Sequence, residues 1–424
     1  MFFVSTPPTH SPVTILIFTL SYIALAVGRV PGSTLDRAGI ALVGAAAMLA
    51  AGSLSLHAAA RSVDYETILL LFGMMIVVEH LRASGFFALA TERIARRRPG
   101  PYVLLAATIF LSGVLSAFLV NDVVCLALTP LVIDLCKRLK RPPIPFLIGV
   151  ATASNVGSTA TITGNPQNMI IGSLSAIPYA RFSARLAPIA LVGLAINYVM
   201  VLIVYRRSLA SELLETGEDP VVEAIEFDAS AHGGRRLLVL SVVVAAATIA
   251  LFFAGMNTAL AAFLGAATIL TIGRIRPERI YHAIDWPLLI MFAGLFVVVR
   301  SFEINVVKPW GLDSWTPLRK SPVLLLSGLS VLFSNLVSNV PAVLLFKPVI
   351  EALPNKEPSW LALAMSSTLA GNLTVLGSVA NLIVVENARK LGIRVGFLEY
   401  LKVGVPLTIL TVAAGILWLT ATRY

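Results

Sequence analysis

The sequence predicts an all-α polytopic membrane protein of two inverted repeats, each with five transmembrane helices, one re-entrant hairpin and discontinuous helices at the midplane. Of the 424 residues, 57% are hydrophobic and only 13% are charged, and the mean hydropathy is +0.88. Soluble domains carry about 25% charged residues, so this chain is too apolar to be one. Apolar stretches near the bilayer-spanning length of about 20 residues recur along its whole length, and its two halves repeat each other.

The repeat consists of polar and glycine positions that return in the same order. The matches, at offsets of 221, 218 and 213 positions, are Asp64 with Asp285, Gly73 with Gly294, Ser116 with Ser334, Asn121 with Asn339, Pro130 with Pro348, Thr161 with Thr374, Gly164 with Gly377 and Asn168 with Asn381. Two copies of a multi-helix unit, each with polar breaks in hydrophobic sequence, are typical of secondary transporters. Two similar halves that only dimerise in the bilayer are disfavoured, because polar breaks are costly in lipid unless they line a site.

Hydropathy divides the chain into a first repeat at 1–206, a polar linker at 207–235 predicted to be cytoplasmic, and a second repeat at 236–424. The predicted spans of the first repeat are 12–28, 38–55, 65–83, a long segment 101–136, a broken helix 144–177, and 184–206. Those of the second are 236–254, 257–273, 285–301, a long segment 321–352, a broken helix 359–388, and 402–420. The order of segments is the same in both.

Each long segment is interrupted by polar residues, at Asn121-Asp122 and at Ser338-Asn339. Each therefore forms either one re-entrant hairpin or two full crossings. The basic residues flanking the first long segment are Arg82, Arg93, Arg96, Arg97 and Arg98 before it, and Lys137, Arg138, Lys140 and Arg141 after it. Because positive charge marks cytoplasmic ends, these two basic flanks favour the hairpin.

Five crossings and one hairpin per repeat determine the orientation, since an odd number of crossings inverts the second repeat. On this map the cytoplasmic loops hold 22 Lys and Arg and the outside loops hold 9, with Lys347 in the second hairpin completing the 32. This asymmetry predicts a multi-pass protein of the inner (plasma) membrane with both termini outside. It also assigns the net charge of +10 to orientation rather than to nucleic acid binding.

The broken helices are predicted to break at Gly164 and Gly377. Glycine tolerates an unwound turn, Asn165 can cap the helix that follows, and Pro166 suits its first position because no donor is lost there. Ser378 is the corresponding cap in the second repeat.

Asn121 and Asn339 are expected to cap the return arms of the two hairpins. Four half-helix N-termini then meet near the membrane middle, where their unpaired N–H groups and positive dipole ends favour oxygen-rich or anionic substrates. Nearby polar residues include Ser158, Asn372 and Thr374. The alternative role of such side chains is to hold packed helices together. That role explains about half of these residues individually, but it does not explain why the helices are broken.

Asp122 is the clear formal charge of this polar core, and its repeat partner is the apolar Val340. An intramembrane carboxylate is most often a proton or cation carrier, and we predict Asp122 as the proton-coupling residue. A helix-capping aspartate kept ionised by backbone amides is the structural alternative. Cys125 and Cys136 lie in one apolar segment, which indicates packing residues rather than a disulfide framework.

The sequence contains no recognisable nucleophile, metal cluster or paired carboxylates, so we expect neither enzymatic activity nor a metal or other cofactor. Two occluding hairpins disfavour a channel. The expected partners are a small oxyacid or anion substrate, protons and the lipid bilayer, without nucleic acid.

Five segments resemble the arsenite-permease branch of the ion transporter superfamily, most closely bacterial arsenite permeases and plant silicon-efflux transporters. They are Asn121-Asp122, Ser154–Ser158, Gly164–Asn168, Ser338–Pro341 and Gly371–Asn381, and the resemblance covers nearly the whole chain. It implies inverted repeats, a scaffold with a moving transport part and frequently a homodimer. It also implies substrate contacts at Asn121, Asn165, Asn168, Asn339, Ser378 and Asn381, to which we add Ser158, Asn372 and Thr374.

The expected function is secondary active export of arsenite, a trivalent arsenic or antimony oxyacid, by proton antiport. Arsenous acid is mostly neutral at pH 7, so Asn, Ser and helix-end amides suit it. No arginine lies in any break, which disfavours a multiply charged carboxylate. The Ser-Asn-Thr pair of sodium-carboxylate symporters is also missing at Asp122 and Val340. A silicic acid, inorganic anion or carboxylate transporter and a sodium/proton antiporter on the same fold remain alternatives.

Overall fold

The computed structural model describes residues 11–28, 34–210, 234–310 and 321–422, which form nineteen α-helices and no β-strand. The first half contains α1 (Ser11–Val27), α2 (Arg37–Ala50), α3 (Leu56–Ser62), α4 (Tyr65–Ala83), α5 (Phe86–Ala95), α6 (Pro101–Phe118), α7 (Asn121–Arg138), α8 (Ile144–Ser158), α9 (Pro166–Ser175) and α10 (Tyr179–Ala210). The second contains α11 (Gly234–Phe253), α12 (Thr258–Ile272), α13 (Pro277–His282), α14 (Trp286–Phe302), α15 (Pro322–Val337), α16 (Asn339–Glu351), α17 (Glu357–Ala370), α18 (Val379–Lys390) and α19 (Phe397–Ala421).

Every predicted span corresponds to one helix or to an interrupted pair. The long segments are α6 with α7 and α15 with α16, and the broken helices are α8 with α9 and α17 with α18. The all-α class and the positions of the breaks are therefore confirmed. We call α6 with α7 the first hairpin and α15 with α16 the second. Most of the predicted linker, at 211–233, lies outside the described residues, and the re-entrant course of both hairpins and the inversion of the second repeat stay predictions.

Several helices are long and apolar enough to cross a membrane. Within the described ranges these are α6, α10, α11, α14 with its π-helical extension, and α19, while α4 and α5 give a sixth candidate bent by 49°. Shorter apolar helices of 10–17 residues include α1, α2, α8, α12 and α15. The chain is therefore a multi-pass membrane protein, as its composition predicts.

The two halves pack through matching helix pairs, α4 against α12 and α2 against α14. A Cβ at Gly73 of α4 would lie 2.7 Å from the backbone of Ala262, and one at Gly294 of α14 would lie 2.7 Å from the backbone of Ala41. Close approach of helix backbones in membranes requires small residues at the contact. This packing explains why Gly73 and Gly294 correspond in the two repeats.

Each broken helix reaches the hairpin of the other half. The helix α18 packs against α7, and α9 packs against α16. Each contact joins a helix that follows a break to the return arm of a hairpin, so the four interrupted elements meet in one region.

Candidate functional site at the helix breaks

The first break is held by two asparagines. Asn165 has an extended backbone, and its side chain accepts a hydrogen bond from the backbone N–H of Asn168 at 2.9 Å, which confirms it as the cap of α9. The Nδ2 of Asn165 donates to Ser158 Oγ at 2.9 Å. Asn168 donates from Nδ2 to the carbonyls of Ser158 at 3.1 Å and Thr161 at 3.0 Å. Ser158 is the last residue of α8 and Thr161 lies within the break, so Asn168 supplies donors to the backbone where the helix is interrupted.

The second break repeats this arrangement. The Oγ of Ser378 accepts a hydrogen bond from the backbone N–H of Ala380 at 3.2 Å, which confirms Ser378 as the cap of α18. Asn381 donates from Nδ2 to the carbonyls of Gly371 at 2.7 Å and Thr374 at 3.1 Å. Thr374 therefore takes part through its backbone.

Asn155 connects the two breaks to the first hairpin. Its Nδ2 donates to the Oδ1 atoms of Asn372 at 2.9 Å and Asn381 at 3.0 Å. Its Oδ1 accepts from Asn121 Nδ2 at 3.1 Å and Ser378 Oγ at 3.0 Å. These four bonds use both donors and both lone pairs of one amide, and Asn155 is only 2% exposed. Sequence reasoning included Asn155 in a motif but did not select it as a site residue.

The hairpin tips differ from the prediction by one position. The caps of α7 and α16 are Val120 and Ser338, and neither makes a side-chain capping bond. Asn121 and Asn339 already belong to their helices, whereas a capping side chain must come from the non-helical residue before the first turn. The prediction that these two asparagines cap the return arms was therefore wrong.

This shift leaves hydrogen-bonding capacity at both tips. The Oδ1 atoms of Asn121 and Asn339 are buried and have no partner among the described residues. The first backbone N–H groups of a helix also lack intrahelical partners, and no side chain caps α7 or α16. Both hairpin tips thus combine unpaired side-chain acceptors with helix-end donors.

A cavity of about 440 Å³ lies where the helix ends meet. It is lined by the N-terminal ends of α7, α9, α16 and α18, the four half-helices predicted to converge, and also by those of α2 and α14. Asn121, Asp122, Asn339 and Ser378 are among its lining residues. The remaining predicted contacts, Asn165, Asn168, Asn381, Ser158, Asn372 and Thr374, lie outside its lining, and their role in substrate binding stays a prediction.

The cavity carries three carboxylates, from Asp36, Asp122 and Asp285, together with the guanidinium of Arg37. Asp36 caps α2 by accepting from Gly39 N–H at 2.8 Å, and Asp285 caps α14 by accepting from Leu288 N–H at 3.0 Å. Sequence reasoning did not assign Asp36, Arg37 or Asp285 to the site. An aspartate just before an apolar helix signals a cap, but the packing of α2 on α14 brings these two caps to one cavity.

The cysteines are not among the residues that line the cavity. Cys125 and Cys136 are buried and free, and Cys125 Sγ donates to Ser154 Oγ at 3.0 Å. Both are on α7, where they pack as small apolar residues.

A citrate transporter family model, CitMHS, matches residues 22–370. The chain belongs to this family. Among similar proteins, the silicon efflux transporter LSI3 of Oryza sativa subsp. japonica is 31% identical over 91% of this chain and 93% of its own length. The putative transporter arsB of Dictyostelium discoideum is 26% identical over 95% of this chain and 90% of its own length.

The fold of this CitMHS member also matches a solved structure, the YdaH transporter of Alcanivorax borkumensis. The match has a TM-score of 0.59 at 16% identity and covers 98% of each chain. At this identity the likeness concerns the fold alone. Family and relatives together confirm the predicted superfamily: the chain is a secondary transporter of the membrane, not an enzyme.

Proposed function

We propose that this transporter exports trivalent arsenic, bound as the neutral oxyacid, in exchange for protons. The charge balance of the cavity carries this proposal: three carboxylates accompany one guanidinium. The side chains therefore give the cavity a formal charge of −2, which opposes the attraction of the helix ends and repels a multiply charged anion more strongly in a partly desolvated site than in water. A neutral hydroxylated molecule avoids that penalty.

The polar groups at the hairpin tips match such a molecule. The unpaired Oδ1 atoms of Asn121 and Asn339 can accept hydrogen bonds from arsenic hydroxyls. The uncapped N-termini of α7 and α16 can donate to its oxygens, as helix ends donate to oxygen ligands elsewhere. Ser378 also lines the cavity with a polar side chain. Asn165, Asn168 and Asn381 would then serve binding indirectly, because they hold the breaks in shape.

Asp122 is the proposed proton carrier. It lies in the first turn of α7, is half-buried and lines the cavity beside Asn121. Protonation of its carboxylate changes the charge of the cavity by one unit. The second hairpin is not affected, because the residue equivalent to Asp122 there is the apolar Val340. If substrate binds from the cytoplasm as the proton leaves, and a proton returns after substrate release outside, the two flows are coupled in opposite directions.

The predicted topology gives this cycle a direction. On that map α2 and α14 both begin on the cytoplasmic side, and their first residues line the cavity. The cavity would thus be accessible from the cytoplasm, in the state that accepts a substrate for export.

The test is proton flux in proteoliposomes that contain the purified chain. Arsenite or antimonite on the cytoplasmic side should saturate the carrier and move protons in the opposite direction, and an imposed proton gradient should drive arsenite uphill. A flux that never saturates and follows the arsenite gradient alone indicates a channel. Citrate or sodium moving protons while arsenite moves none refutes the proposal.

Silicic acid is the second candidate substrate, because it is also a small neutral hydroxylated molecule and because the relative LSI3 is named a silicon efflux transporter. The same flux assay separates the two. Silicate that saturates the carrier at a lower concentration than arsenite assigns the site to silicic acid.

A further inference from the structure

A basic surface lies where α5 packs against the C-terminal end of α7. We define the basic surface by its exposed residues Arg93, Arg96, Arg97, Arg98, Lys137 and Arg138. An ion pair joins the two helices, since Arg138 Nη1 lies 3.2 Å from Glu92 Oε2. The other end of α7 carries Asn121 and Asp122, so one helix connects this surface to the cavity.

The positive charge of the basic surface exceeds what its own carboxylates can balance. Glu92 contacts Arg96 at 3.4 Å and Arg138 at 3.2 Å, while Asp134 contacts Arg138 at 2.8 Å. Six basic and two acidic residues leave a formal charge of +4. Within the described ranges, Arg93, Arg97, Arg98 and Lys137 make no ion pair. These exposed charges are therefore available to an anion from outside the described residues.

The surroundings of the basic surface indicate a membrane. The helix α5 bends 49° away from α4 and buries Phe87 while exposing 48% of Leu89. The helix α6 follows at once with exposed Tyr102 and Val103. Basic side chains beside exposed apolar and aromatic residues, at the end of membrane helices, are typical of the headgroup region. An acidic soluble protein would match the charge but not these apolar neighbours.

We propose that the basic surface binds the phosphate groups of anionic phospholipids and so anchors the C-terminal end of α7. Arg93, Arg97, Arg98 and Lys137 supply the unpaired charges, and Arg138 joins α7 to α5 through Glu92, which Arg96 also contacts from the end of α5. Anchoring one end of α7 restrains the helix whose first turn lines the cavity. Anionic lipid then affects transport without touching the substrate.

The experiment measures retention of labelled phosphatidylglycerol on the purified full-length chain in detergent. The test variant is Arg93→Gln with Arg97→Gln and Arg98→Gln, which keeps both arginines that pair with Glu92. The matched control is Arg274→Gln with Arg276→Gln and Arg279→Gln, three exposed arginines at and just before α13. Each arginine near an anionic surface adds attraction. The affinity of the test variant for phosphatidylglycerol should therefore fall by about tenfold or more. The control should bind like the parent chain.

Equal losses in both variants, or unchanged retention in the test variant, overturn the proposal. Displacement of the lipid by millimolar inorganic phosphate shows a free-phosphate site and also overturns it. So does binding of polyglutamate at this surface when phosphatidylglycerol does not bind. If the test variant does not fold, salt titration of the parent chain decides: phosphatidylglycerol must dissociate as salt rises while phosphatidylcholine retention stays constant.

Discussion

Asn168 and Asn381 make the same two hydrogen bonds in the two halves of the molecule. Asn168 donates to the carbonyls of Ser158 and Thr161, and Asn381 donates to those of Gly371 and Thr374. Each asparagine lies three positions after the cap of its helix, and each carbonyl pair belongs to the break before that helix. Of the small side chains, only an amide offers two N–H donors at one nitrogen.

We therefore expect Asn168→Asp and Asn381→Asp to destabilise the fold, because a carboxylate has the same shape but no donor. Ser158 keeps a second donor in Asn165 Nδ2 at 3.3 Å, and Thr374 keeps the Gly377 N–H at 3.1 Å, so each variant removes the side-chain donor of one carbonyl, that of Thr161 or of Gly371. A buried carbonyl left unmet costs about 1–3 kcal/mol, and the free energy of unfolding in detergent should fall accordingly. Asn257→Asp is the matched control, since Asn257 caps α12 only by accepting from Leu260 N–H. Equal stability of all three variants contradicts the role of the two donors.

Gly73→Ala and Gly294→Ala should each separate a helix pair that joins the two halves. The added Cβ meets backbone atoms at 2.7 Å, and overpacking of this kind costs about 1–3 kcal/mol. The thermal unfolding midpoint should fall for both. Gly328→Ala is the control, because a Cβ there meets nothing within 4 Å. An unchanged unfolding midpoint in both the Gly73→Ala and Gly294→Ala variants would show that the helices move apart without loss of stability.

Asp122→Asn should fold and bind arsenite but lose proton-driven transport, because the amide has the size of the carboxyl group, resembles its protonated form in offering both a donor and an acceptor, and cannot ionise. Flux against an imposed pH gradient in proteoliposomes measures this. Glu386→Gln is the control, since that exposed carboxylate pairs with Arg389 on the surface of α18. If Asp122→Asn still responds fully to the gradient, Asp122 is structural and coupling resides elsewhere.

Asn121→Ala and Asn339→Ala should weaken arsenite binding while keeping the response to the proton gradient, since they remove contacts and leave the titrating group. A net hydrogen bond contributes about 0.5–1.5 kcal/mol, so KM should rise roughly two- to tenfold for each. Ser330→Ala is the control, because Ser330 Oγ is also buried without a partner but lies outside the cavity lining. An unchanged KM in both asparagine variants removes them from the site.

Cys125→Ser combined with Cys136→Ser should retain arsenite transport. Arsenic(III) binds sulfur strongly, yet two buried thiols on one helix do not make the usual three-sulfur site. A hydroxyl in place of the Cys125 thiol can also keep the hydrogen bond to Ser154. The measurement is the arsenite flux of the double variant, divided by the amount of variant protein in the membrane. Complete loss of flux in a folded variant refutes recognition by oxygen and nitrogen groups alone.

The sequence by itself determined the elements and their breaks. Apolar length predicts α10, α14 and α19, because each span depends on its own residues and the thickness of a bilayer. The caps Asn165 and Ser378 are also local, since each bonds a backbone N–H two or three positions ahead. The spacing of Gly73 and Gly294 likewise indicates the repeat without reference to any tertiary contact.

Tertiary structure alone decided which of these parts share the cavity. Asp36 and Asp285 are far apart in the chain, and the packing of α2 on α14 brings them to one cavity. Asn155 became the link between both breaks only when α8 and α18 came together. The helix α16 begins at Asn339, one residue earlier than predicted, and Ser338 with a φ of 76° is the non-helical residue before it. The local sequence pattern predicts where a helix can break or turn, whereas the hydrogen-bond partners of a side chain depend on long-range packing.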